Sequence, residues 1–519
     1  MLGYRSIRVR RRPGGPVRLE PDGGVGYRAR EAAAKGGFGS GASKDRGGMA
    51  TQLKANALSM VEALVMGVAG SAPGFSIAVT LATLLTTAGF LAPGAILIFA
   101  VPMIGISLAY KGLTARMANA GAAYEWTGRI FNKTFGYFSG WALLVASIVF
   151  MVTGAVPLGS ATLSFFPDPT LTNNVLLTTA VGGLWFLVIG YVLIVGISLT
   201  SKVQMVMSLI EIVILTVVMI AAGVHALRHG VVNPPSWSWF GLNYPKGAFS
   251  ASALIVVFFY WGWDVTANLG EETDTEHEGA GNGGFFSVFV TTFYFLAFAA
   301  ATLMLFSLKE SQGLSDNLIY HLAVRAGLGR VGGMAASLAV ILSSVATVET
   351  QMLQFSRTLF AMGRDGAMPR LFGVVSAKSQ TPVRTMYLLL GLGMVLILLA
   401  SFIPTVGLIL SDSVKAIAIQ VCYYYSVAGF ASAWLFRGAR RTDPKAFWVY
   451  GVYPALSALS LLLLALYALT TFDTLTRIVG LGGLFAGFLF YRPKGYGGWG
   501  LSGSDELIGS GSKDARSKF

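Results

Sequence analysis

The sequence predicts an all-α integral membrane protein of twelve transmembrane helices, and three observations carry that expectation. Of 519 residues, 54% are hydrophobic and 12% charged, with a mean hydropathy of +0.65, a balance that soluble domains do not reach. From residue 56 onward the chain is a series of apolar runs of about 17 to 25 residues, the length that crosses roughly 30 Å of hydrocarbon as a helix. The third is the placement of charge. With the N-terminus inside, about 31 of the 38 Lys and Arg face the cytoplasm and about 6 face outward, which places both termini in the cytoplasm; the cell membrane is the expected location.

Residues 1–50 are rich in Gly and Arg, with Arg8, Arg10, Arg11 and Arg12 clustered and no apolar run. They read as a disordered basic cytoplasmic tail, and the first span must direct insertion. Its arginines suit either a solvated tail or attraction to anionic lipid. The helical domain covers 55–492, with span cores near 58–85, 93–113, 137–158, 175–197, 205–223, 251–269, 285–308, 334–360, 386–403, 414–436, 450–469 and 478–490. A Gly/Ser-rich cytoplasmic tail, 493–519, follows. Of the outer connections, the one holding Trp237 and Trp239 suits the headgroup region as an anchor or an interfacial lid. The same topology accounts for the net charge of +14, so no nucleic-acid partner is expected. The single cysteine, Cys422, permits no disulfide framework, and His225, His229, His277 and His321 show no ligand spacing, so neither metal nor cofactor is expected.

Two spans carry residues that a continuous helix does not favour. The first contains Gly67-Val68-Ala69-Gly70-Ser71-Ala72-Pro73-Gly74, where Pro73 lacks an amide donor and its ring opposes helix continuation. The sixth contains Phe258-Phe259-Tyr260-Trp261-Gly262-Trp263-Asp264, a glycine and a carboxylate within an apolar run. Irregular backbone at membrane depth is tolerated where it lines a cavity. An inverted repeat of spans 1 to 5 and 6 to 10 brings the two breaks together near the bilayer midplane, where freed amides can hold a carboxylate and freed carbonyls an ammonium group or a cation. Such a site needs no nucleophile, and the sequence shows no clustered nucleophile, base or metal set of the kind an enzyme requires.

At these residues the chain resembles the amino acid, polyamine and organocation permeases, over roughly 55–490. Ala120-Gly121-Ala122-Ala123-Tyr124, followed by Phe135-Gly136-Tyr137-Phe138-Ser139-Gly140-Trp141, is similar to the family's pattern after span 2. Ser356-Arg357-Thr358-Leu359-Phe360-Ala361-Met362-Gly363-Arg364-Asp365-Gly366-Ala367-Met368-Pro369 is similar to the segment that ends span 8. Gly262-Trp263-Asp264 with Glu271-Glu272 resembles the family's glycine, aromatic and acid signature, which makes the acidic loop a candidate cytoplasmic gate element.

The resemblance implies a leucine-transporter-type fold, with repeats near 55–225 and 250–437, helices 1 and 6 discontinuous, and peripheral helices near 448–491. It implies secondary active transport of an amino acid, as symporter or antiporter, with a polyamine or other organic amine as the alternative substrate. Carried over by position, substrate binding falls to Gly70, Ser71, Ala72, Pro73 and Gly74 and to Phe259, Tyr260, Trp261, Gly262, Trp263 and Asp264. The aromatic rings are candidates to occlude the site or stack on a substrate cation, or simply to pack.

Glu211 in span 5 and Glu349 in span 8 are costly in hydrocarbon, which makes both candidates for proton coupling. Proton-linked family members carry a Lys in span 5 near the position of Glu211, a departure that leaves proton and sodium both open as the coupling ion. Ser343, Ser344 and Thr347 are candidate hydroxyl ligands for an ion, or helix-packing residues. Arg357 and Arg364 read as inner-leaflet anchoring and loop structure, with gating through salt bridges. Asp412 and Lys415, three apart, read as a pair on one helix face.

Overall fold

The apolar runs fold as helices whose ends are set by local chemistry. The computed structural model describes residues 52–491 apart from 167–169, 172–173, 246, 275–277, 315–317, 403–405 and 472–473, together with 7–10, 18–21 and 49–50. Contacts divide the chain into two units, Met1–Asp45 and Arg46–Phe519. In the first, strand β1 (Ile7–Arg10) pairs antiparallel with β2 (Arg18–Pro21). The rest of the expected basic tail, and all of the expected tail 493–519, lies outside the described residues.

In the second unit, β3 (Met49–Ala50) pairs antiparallel with β4 (Val375–Ser376), and the remainder is helical. Helix α1 (Met60–Ser71) starts at a capping box. The Glu62 amide donates to Ser59 Oγ, and the Ser59 amide donates to Glu62 Oε2 at 2.8 Å. It ends at Ala72, whose φ of 46° and ψ of 69° are left-handed, and α2 (Pro73–Ala88) restarts at once with proline in its first turn. Next come α3 (Ala92–Thr114), the short amphipathic α4 (Ala123–Ile130) and α5 (Lys133–Leu163), which Asn132 caps by accepting from the Thr134 and Phe135 amides. Then follow α6 (Val175–Val195), α7 (Ile197–His229), α8 (Ala248–Phe259), the single turn α9 (Val265–Asn268), α10 (Gly279–Leu305), α11 (Gly329–Arg364), α12 (Val383–Ala400), α13 (Val406–Phe436), α14 (Tyr453–Thr471) and α15 (Thr474–Phe485).

Among the described residues, nine helical stretches are long and apolar enough to cross a membrane. The first, Met60–Thr114, takes in α1, α2 and α3, while Ala248–Phe259 and Gly480–Phe490 are apolar but shorter. The protein is thus an all-helical, multi-pass membrane protein. Between Trp237 and Phe240 a short turn buries Trp239, which stacks on Phe90, and leaves Trp237 exposed.

Helix α11 organises the centre of the bundle. Ser343, Thr347, Gln351 and Gln354 recur at spacings of four, four and three, which sets them on one face of a helix. That face lies against both chain breaks, at Ala72 and between α8 and α9, as the hydrogen bonds below show.

Candidate functional site

Breaking a helix at Ala72 frees the first amides of α2, because Pro73 has none and the next two have no carbonyl one turn back. Both find side chains. The Gly74 amide donates to Glu211 Oε1 of α7 at 3.0 Å, and the Phe75 amide donates to Ser343 Oγ of α11 at 3.0 Å. Glu211 is 1% exposed, and its carboxyl sits at the positive end of the α2 dipole. On the other side of the break, Thr347 Oγ1 donates to the Gly70 carbonyl at 2.9 Å. Glu211, Ser343 and Thr347 therefore tie α7 and α11 to the interruption, whereas Ser344 donates back to Val340 O within its own helix.

The second interruption runs from Tyr260 to Asp264. Gly262 there has φ +110°, a region that side chains rarely adopt. The two breaks cross backbone to backbone. A Cβ built on Gly70 would lie 2.1 Å from the Gly262 carbonyl oxygen, and one on Gly262 would lie 2.2 Å from that of Gly70. Beside the crossing is a cavity walled by Gly70, Ser71, Ser76, Thr347 and Gln351 on its polar side and by Phe75, Phe150, Phe258 and Trp261 on its aromatic side. Its free volume is about 10 Å³, room for a single water, so the site is closed.

The structure distributes the sequence candidates unevenly around this cavity. Gly70, Ser71, Trp261 and Thr347 line it. The Phe259 ring packs on Phe295 at 5.0 Å, and Tyr260 packs on the same ring and donates to Ile96 O at 3.3 Å. Trp263 packs edge-on against Tyr110 at 5.1 Å and beside Tyr425. Phe259 and Tyr260 turn away because they continue the α8 helix, in which Phe258 and Trp261, three apart, share the cavity face. Phe75, Ser76, Phe150, Phe258 and Gln351 were missed by the sequence reading. For Gln351 the signal was present, as a polar residue at helical spacing from Ser343 and Thr347.

Asp264 faces away from the cavity into a cage of donors. Gln354 Nε2 donates to its Oδ2 at 2.7 Å, Tyr424 O–H to Oδ2 at 2.9 Å and Tyr425 O–H to Oδ1 at 3.0 Å. Trp261 Nε1 donates to Tyr424 O–H at 2.6 Å and so joins the cavity wall to the cage. Asp264→Asn keeps the shape but turns an amide N–H toward one of these donors, at an expected cost of about 1–3 kcal/mol. The variant is expected to insert normally and to unfold at lower temperature in detergent. An unchanged melting temperature would show that the cage contributes nothing.

Glu349 is 3% exposed, with its Oε1 unpartnered among the described residues. Two residues on from Thr347, it points about 200° away around the helix and does not share the cavity. The Asp412 side chain lies outside the described residues, as does His277.

At one end of α11 the acidic segment after α9 is locked down. Arg357 and Glu272 form a two-pronged ion pair, Nε to Oε2 at 2.9 Å and Nη2 to Oε1 at 3.0 Å, with both side chains fully buried. Arg364 grips Glu271 in the same way, and Glu271 Oε1 also accepts from the Ala120 amide. Arg357 and Arg364, expected from the sequence as inner-leaflet anchors and loop structure with salt bridges in the loop, are ion-pair partners of the acidic segment. Next to them on α4, Glu125 pairs with Arg129. Burial, and then the Asp365 charge, push the Glu125 carboxyl up to about 7 against the pull of Arg129 and Arg364.

A family model described as amino acid permease matches residues 58–485. The branched-chain amino acid permease BcaP of Bacillus subtilis is 24% identical over 329 residues, covering 60% of this chain and 68% of that protein. The serine/threonine exchanger SteT of the same organism is 21% identical, covering 72% and 84%. The low-affinity putrescine importer PlaP of Escherichia coli is 25% identical, covering 56% and 63%.

Proposed function

We propose, from the premise that this chain belongs to the amino acid permease family and is a membrane transporter rather than an enzyme, that it carries an amino acid across the cell membrane by alternating access. One observation carries this reading: two interrupted helices cross at Gly70 and Gly262 beside a closed cavity. A cavity of that size must open to admit a substrate and close again behind it. On this reading residues 55–492 form the permease domain, between cytoplasmic tails at 1–50 and 493–519. Met60–Thr114 counts as two spans, and the interrupted α8–α9 segment and Gly480–Phe490 complete twelve. The first ten then form two inverted repeats of five, with both termini in the cytoplasm, a topology supported by the charge bias.

An amino acid is favoured over a polyamine because Asp264, Glu211 and Glu349, the three carboxylates that would suit an amine, do not line the cavity. The α1 end that carries the Gly70 carbonyl suits an ammonium group, whereas the start of α2 already holds the Glu211 carboxyl through the Gly74 amide. Purified protein in liposomes is expected to accumulate a labelled amino acid down an imposed ion gradient. Failure across a full panel of amino acids and amines, with folded protein, overturns the proposal. Competition by putrescine and by no amino acid would establish the organic-amine alternative.

Glu211 is the proposed proton carrier. Its carboxyl joins α2, α7 and α11 through the Gly74 amide and Ser343, so gaining a proton removes the charge that holds the half-helix end. Glu211→Gln is expected to lower accumulation driven by a pH gradient about tenfold or more, a barrier change of about 1.4 kcal/mol, while leaving substrate exchange measurable. Wild-type pH-driven accumulation in a stably expressed variant would exclude this role and return attention to sodium.

A further inference from the structure

The polar side chains lining the closed cavity are, with one exception, already engaged. Ser71 Oγ donates to Gly67 O at 3.3 Å, Ser76 Oγ to Ser71 O at 3.0 Å and Thr347 Oγ1 to Gly70 O at 2.9 Å. Gln351 is the exception. It is 1% exposed, and its Oε1 has no hydrogen-bond partner among the described residues. Its neighbour along the stripe, Gln354, spends its amide nitrogen on Asp264 and Asn268. An amide oxygen sealed from water without a donor is costly, and at a cavity wall a ligand's N–H or O–H can satisfy it.

Its location indicates which part of a ligand that is. Gln351 Nε2 lies 3.2 Å from where a Cβ on Gly262 would sit, so the amide borders the second break, one turn along α11 from Thr347 and across from the aromatic wall. The ammonium end of an amino acid suits the carbonyl end of α1 at the first break, where the dipole is negative. A neutral amide is a poor counter-group for either charge. It suits a group that both donates and accepts, as a hydroxyl or carboxamide does.

We infer that Gln351 is a specificity-determining residue that contacts the substrate side chain and selects neutral amino acids carrying a hydroxyl or amide over apolar ones of equal size. The inference rests on the cavity being the transport site. Its physical basis is that an apolar side chain would leave the buried Oε1 unpaired in the bound state, the situation in which hydrogen-bonding sites discriminate most strongly.

Threonine and valine supply the probe, since they differ by a hydroxyl in place of a methyl. In liposome counterflow with the full-length protein, kcat/KM for threonine is expected to exceed that for valine at least about tenfold. Gln351→Leu is expected to reduce that ratio about tenfold, mainly through KM for threonine, with valine transport retained. Gln351→Met, closer in shape, serves the same purpose should the leucine variant not fold, and Gln351→Asn is expected to restore part of the preference. Equal wild-type rates for threonine and valine, or an unchanged ratio in a variant that still transports, overturn the role of Gln351 while leaving amino acid transport standing. Transport of neither, nor of any other amino acid, overturns the functional proposal itself.

Discussion

Gly262→Leu is expected to give a protein that reaches the membrane but neither binds nor moves its substrate, with uptake reduced about a hundredfold or more. Two effects combine. The residue would be held at φ +110°, where a side chain costs about 1–3 kcal/mol. Its Cβ would also begin 2.2 Å from the Gly70 carbonyl oxygen, so the two interrupted segments must separate. Separation displaces Phe258 and Trp261 on one wall of the cavity from Gly70 and Ser71 on the other. Gly70→Ala is expected to show the same defect from the opposite side, since its Cβ meets the Gly262 oxygen at 2.1 Å. Binding of labelled substrate to purified protein tests both, and normal binding by Gly262→Leu would show that the crossing is not part of the site.

The largest stability effect is expected at the ion pair beyond the cavity. Arg357→Ala leaves Glu272 charged, fully buried and without its counter-ion, a change that typically costs about 3–5 kcal/mol. Glu272→Ala is expected to cost a similar amount by stranding Arg357. Removing both with apolar residues of similar volume, Arg357→Met with Glu272→Leu, is expected to recover most of the loss, because the desolvation of two charges disappears with their attraction. Unfolding midpoints of the wild type, Arg357→Met, Glu272→Leu and the Arg357→Met/Glu272→Leu double variant in one detergent form the required cycle. Additive losses in the double variant would mean that the two side chains do not act as a pair.

Both features show what sequence conveys and where it stops. Hydropathy is a property of consecutive residues, so the nine stretches long and apolar enough to cross a membrane among the described residues were legible, and proline with clustered glycine marks a strained backbone wherever it falls. The direction of a side chain within a break is not local information. Phe259, Tyr260 and Trp263 occupy consecutive or nearby positions with Trp261, yet only Trp261 among them reaches the cavity, on the face it shares with Phe258, and beyond Gly262 the positive φ ends the periodicity from which facing is inferred. Gln351 and Gln354 were legible in principle as polar residues on the Ser343 and Thr347 face of a long helix. The pairing of Arg357 with Glu272 was not, since 85 residues separate them and either charge alone reads as a residue at the membrane surface.

The crossing at Gly70 and Gly262 also restricts how a damaged protein can be repaired by further mutation. Each added Cβ collides with the other residue's carbonyl oxygen, an atom that every amino acid carries. No exchange at Gly70 can therefore compensate a substitution at Gly262, and none at Gly262 can compensate one at Gly70. Revertants selected from either lesion must restore the glycine itself or arise at a distance, in residues that let one helix back away from the other.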